Sequence, residues 1–92
     1  FRMGWDVSAA ALRLHDAAYR IELAWEDEQP VSREMCMRYH QALDAAMGSM
    51  PAERFQVEAS RLRSWLASGA IPQAGKSWAD AIVDSLEKGP QR

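Results

Sequence analysis

Between Ser8 and Glu26 the chain is apolar on two opposite sides at once. At about 100° per residue, Val7, Ala10, Ala11, Leu14, Ala18, Ile21 and Trp25 form one helical stripe, and Leu12, Tyr19 and Leu23 lie roughly opposite it. A helix with two apolar faces must either stand centrally among other helices or have its second face covered by a partner. A chain of 92 residues buries only about 60 to 65% of the surface its unfolded form exposes. The core it can build is thin, and the second face is hard to accommodate in it.

The rest of the pattern is helical as well, and it predicts a single all-α domain over residues 1–92. The expected architecture is a small antiparallel bundle of four helices, over about residues 8–26, 32–48, 51–68 and 77–88. Ser8 and Ser32 are placed to cap the first two helices. Glu34 favours the start of the second, and Gly48 suits its end. Met35, Cys36, Tyr39, Ala42, Leu43, Ala46 and Met50 give the second helix one core sector. Pro51 fits the first turn of the third, capped by Ser49 or Met50. Phe55, Ala59, Leu62 and Leu66 then form its stripe, and Gly69 is a suitable terminator. Ile71, before Pro72, is expected to plug one end of the core. Ser77 with Asp80 resembles a capping box for a short fourth helix, whose inner face is Trp78, Ile82 and Leu86 and whose stop is Gly89 and Pro90. Connections this short favour antiparallel neighbours.

Charge and cysteine usage narrow the function classes. The net charge is −2, with the acidic surplus in the first half of the chain. Nucleic-acid binding is disfavoured, since no basic surface is concentrated in the sequence. One cysteine, Cys36, precludes an intrachain disulfide and fits a reducing, cytoplasmic setting; on the second helix's stripe it reads as a small buried hydrophobe. No membrane span is encoded by an apolar run of sufficient length.

Three groupings could carry chemistry. On the second helix Arg33, Met37, His40 and Asp44 share a face, and an arginine with a histidine one or two turns away can stabilise phosphate charge and move a proton. The Arg33-to-His40 spacing resembles the Arg-to-His signature of the helical HEPN ribonucleases, which implies an RNA nuclease. The resemblance covers only these few positions and departs from the family where Glu34 follows the arginine, because a carboxylate there opposes bound phosphate. On the first helix His15, Tyr19, Glu22 and Glu26 lie along one side but lack the paired spacing that bundle metal sites use, so no metal or cofactor is expected. In the second half, Arg61 to Ile82 has the outline of a helix-turn-helix with Arg54, Arg61, Arg63 and Lys76 nearby. Its final helix, however, carries Asp80, Asp84 and Glu87 where phosphate would approach.

The reading that follows is a non-enzymatic protein-interaction module: a subunit, adaptor, inhibitor or regulator of a larger assembly, bound to a protein partner or to itself. The expected contact residues are Leu12, Tyr19 and Leu23 with the acidic end Glu26, Asp27 and Glu28. Val57 and Trp65 form a second candidate because they fall off the third helix's stripe. A nucleic-acid-binding regulator and a HEPN-like nuclease are the alternatives.

Overall fold

The computed structural model describes residues 4–72 and 75–88. It holds a small helical bundle, with no strand among the described residues. A 3-10 turn, Trp5–Val7, leads into α1 (Ala9–Glu26), followed by α2 (Arg33–Met47), α3 (Ala52–Ser68) and α4 (Lys76–Lys88). The chain divides into two compact units, Phe1–Met50 and Pro51–Arg92, so α1 packs with α2 and α3 packs with α4. Among the described residues no helix is long and apolar enough to cross a membrane.

In the first unit, Ser8 and Ser32 act as the sequence predicts. The Ser8 hydroxyl accepts from the Ala11 backbone N–H at 3.2 Å and that of Ser32 from Met35 at 3.1 Å. Each satisfies one of the donors that a helix start leaves open. The connection from Glu26 to Arg33 reaches at most about 25 Å. That is shorter than the roughly 27 Å length of α1, so two helices packed side by side across it must run antiparallel. Between them lie Ala11, Leu14, Ala18 and Ile21 from α1 and Cys36, Tyr39, Leu43 and Ala46 from α2, all buried. Trp5 closes the open end: its indole N–H donates to the Ser49 hydroxyl at 3.0 Å, and its ring meets His15 edge-on at 6.3 Å.

Two members of the predicted α1 core stripe are exposed instead. Trp25 has the right angular position but occupies the last turn, beyond the buried layer that ends at Ile21, and is 45% exposed. Val7 belongs to the 3-10 turn, so α-helical spacing does not place it.

In the second unit, Pro51 is the residue before α3, without a side-chain cap, and not part of its first turn. Phe55, Ala59 and Leu62 are buried as predicted, but Leu66 is only half-buried and the buried arc extends toward Glu58 and Trp65. Trp65 is 6% exposed, which corrects its placement off the core stripe. The reason is angular: Glu58 and Trp65 are neighbours on one side of the Phe55–Leu62 line, and a glutamate there disguises that side as polar. α4 begins at Lys76, so Ser77 lies inside the helix and is not its cap. The most buried face of α4 is Ala79, Val83 and Leu86, with Trp78 and Ile82 half-buried beside it. Ile71 is buried, as its plugging role requires. An ideal Cβ at Gly75 would stand 2.9 Å from the Trp78 indole nitrogen, so this close approach needs glycine. The expected stop at Gly89 and Pro90 lies outside the described residues.

Candidate functional site: an exposed strip on the first helix

Large apolar side chains left in solvent are concentrated in the first unit. Val7, Leu12, Tyr19, Leu23, Trp25 and Met37 are exposed there, against Val57 alone among the described residues of the second. Leu12, Tyr19 and Leu23 fall within about 40° of one another on α1, diametrically opposite the buried Leu14 and Ile21. Their exposures are 57%, 59% and 39%. Leu12 to Leu23 covers about three helical turns, or roughly 16 Å. Isolated exposed leucines are ordinary, but three anchors aligned on one helix face form a seam that another helix can cover.

Charge is distributed unevenly around that seam. Arg13 and Arg20 run along one edge, and Arg20 forms an exposed ion pair with Asp16 at 3.0 Å. The other edge carries half-buried His15 and exposed Glu22 and Glu26. Asp27 and Glu28 follow at the helix end. The last turn of α1 contains no basic residue, so these carboxylates add to the negative pole of the helix instead of offsetting it.

The chain reverses there in a defined way. The Glu28 N–H donates to the Trp25 carbonyl at 3.1 Å and the Gln29 N–H to the Ala24 carbonyl at 2.8 Å. These two bonds make a Schellman closure, which needs a left-handed residue and usually employs glycine. Here the residue is Glu28, at φ 58°. The acidic end is thus held at a fixed position just beyond Leu23.

Next to the arginine edge, α1 and α2 enclose an open groove of about 390 Å³ lined by Arg13, Asp16, Arg20, Arg38 and Gln41 together with small alanines. The Glu34–Arg38 ion pair at 3.2 Å borders it. The α2 face bearing Arg33, Met37, His40 and Asp44 is exposed along its length, as its spacing predicts.

Of the second candidate patch, Val57 is 44% exposed, whereas Trp65 is buried, so the two do not form one surface. The feature that sequence reasoning missed is Glu58. Its side chain is fully buried, with Oε1 3.3 Å from Arg61 Nη1 and Oε2 3.9 Å from Arg54 Nε. The signal was present: a carboxylate three residues after Phe55 and four before Leu62, inside an apolar stripe, with arginines at the helical spacings that can reach it. On α4, Asp80, Asp84 and Glu87 are exposed; Asp84 pairs with Lys88 at 3.2 Å, and Glu87 accepts from Arg63 of α3. Cys36 is buried, and desolvation pushes its thiol pKa up, which disfavours the reactive thiolate. Among the described residues, no three His, Cys, Asp or Glu side chains cluster in a way that could hold a metal ion.

Comparison of the chain with protein-family models, with curated proteins and with solved structures finds no match.

Proposed function

We propose that this protein is a non-enzymatic interaction module that docks a protein partner, or a second copy of itself, on the α1 strip Leu12–Tyr19–Leu23, with the acidic end Glu26–Glu28 beside it. The observation that carries this reading is the exposure of three aligned apolar side chains opposite the buried line Leu14, Ala18 and Ile21. Leu14, Ala18 and Ile21 already satisfy what α1 needs for folding. The outer strip is therefore surplus to the fold, and covering it removes apolar surface from water at a gain of about 25 cal/mol per Å² before the costs of association. Tyrosine is a favoured anchor in such contacts because it combines a rigid apolar ring with a hydrogen-bonding tip.

The test is capture from extract of the source cells with the full chain and with Leu12→Ser/Leu23→Ser, compared at equal helix content by circular dichroism. The expected result is one partner held by the unaltered chain and lost by the variant. Retention of every captured protein by the variant contradicts the reading. Loss of helix content in the variant also contradicts it, because it would make this face part of the core.

A further inference from the structure

Resting on that reading of the α1 strip, we infer that its occupant is a cationic amphipathic helix from another protein, seated on Leu12, Tyr19 and Leu23 with lysines or arginines over Glu22 and Glu26–Glu28. Charge decides the class of partner. The seam and its edges carry the carboxylates of Asp16, Glu22, Glu26, Asp27 and Glu28 against the guanidinium groups of Arg13 and Arg20. Asp16 already pairs with Arg20, so the carboxylates left over lie on one edge and at one end of the seam. The α1 carbonyl terminus reinforces the negative potential there, and the Schellman closure fixes Glu28 in place. Lysines or arginines along the partner's flank would meet this potential while its apolar face covers the leucines.

A second copy of the chain matches this surface poorly. Laid parallel, two α1 strips set the Glu22–Glu26 edge of one copy against the Arg13–Arg20 edge of the other, but bring the acidic ends Asp27 and Glu28 and the negative helix poles of both copies together. Laid antiparallel so that Leu12 meets Leu23 of the other copy, Asp16 falls opposite Tyr19 in the seam, and the Arg13–Arg20 edge faces its own duplicate. Each arrangement therefore brings like charges together, at the helix ends in the first and along the arginine edge in the second. Three anchors over about three turns are also far less surface than the roughly 800 Å² per partner of a stable dimer. A single docked helix is the better fit in size.

The experiment titrates the full chain with two labelled synthetic peptides of equal length that share one leucine seam, one flanked by lysines and the other by glutamates. Fluorescence anisotropy is expected to show the lysine peptide bound at least about tenfold more tightly, with the advantage shrinking as salt is raised. Glu26→Gln/Asp27→Asn/Glu28→Gln should remove that preference. Leu12→Ser/Leu23→Ser should abolish binding of the lysine peptide with helix content unchanged, and Tyr19→Ser alone should weaken it. Equal binding of the two peptides that still requires Leu12 and Leu23 overturns the cationic partner and leaves the docking strip standing. Binding of neither peptide, or binding indifferent to the leucine substitutions, overturns both. A dimer in sedimentation that Leu12→Ser/Leu23→Ser dissolves overturns the inference in favour of a second copy.

Discussion

In the first helix pair the ion pairs Asp16–Arg20 and Glu34–Arg38 stand in solvent and the core between the helices is apolar, while Leu12, Tyr19 and Leu23 are left outside. The second pair also has exposed ion pairs, Arg63–Glu87 and Asp84–Lys88, but there Glu58 is fully buried beside Arg54 and Arg61, and only Val57 among the described large apolar residues is exposed. The second unit has drawn nearly all of its apolar surface, and one charge, inside. The first keeps its charges outside and has apolar surface to spare. That asymmetry is what distinguishes α1 as the proposed docking surface.

The sharpest way to break the comparison uses two leucines two residues apart. Leu14→Ala should cost about 3 kcal/mol or more, since the side chain is fully buried and its removal leaves a cavity. Leu12→Ala, on the exposed strip, should cost less than about 0.5 kcal/mol. Urea unfolding of both variants measures the difference, and similar losses would show that the strip is core. A comparable contrast holds for charge. Glu58→Ala should cost about 3 kcal/mol, because it strands two partly buried arginines next to a void. Glu34→Ala, whose partner Arg38 is solvated, should be nearly neutral.

Smaller effects come from the helix ends, where α1 and α3 each close on a left-handed residue of a different type. After α3 the Ala70 N–H donates to the Trp65 carbonyl at 3.0 Å, with Gly69 in the left-handed region at φ 91°. After α1 the equivalent position is Glu28 at φ 58°. Gly69→Ala should therefore destabilise by about 1 kcal/mol. Glu28→Gly should stabilise by up to a similar amount. Chemical denaturation of the two variants, read with opposite signs, checks the pair. The smallest expected effect is in pH. Because desolvation raises the folded-state pKa of Cys36, its burial contributes stability that is fully present below the unfolded thiol's pKa of about 8.5 and is lost as pH rises through the folded value. Cys36→Ala should flatten the alkaline arm of the stability profile.

Helix positions and most core faces were legible because they depend on local spacing and capping. Ser8, Ser32, Cys36 and the Leu12–Tyr19–Leu23 alignment follow from periodicity within one helix. Two kinds of feature were not. Periodicity gives direction around a helix but not how far along its length the core extends, so Trp25 has a core angle and an exposed side chain. A charge inside a stripe also hides the stripe's true centre: with Glu58 beside it, Trp65 lies off the Phe55–Ala59–Leu62–Leu66 line and yet is buried. The partner's chemistry is written less directly still, in charges that become informative only once their edge of the strip is known.

The proposed docking places the peptide on the strip and on no other surface. An NMR titration of the full chain with the lysine-flanked peptide tests it most directly. Shift changes are expected to gather on Leu12, Tyr19, Leu23 and Glu26–Glu28 while the buried Leu43 and Leu62 stay still. Changes centred on the Arg33–Asp44 face of α2 or on α4, with the strip unmoved, would contradict it.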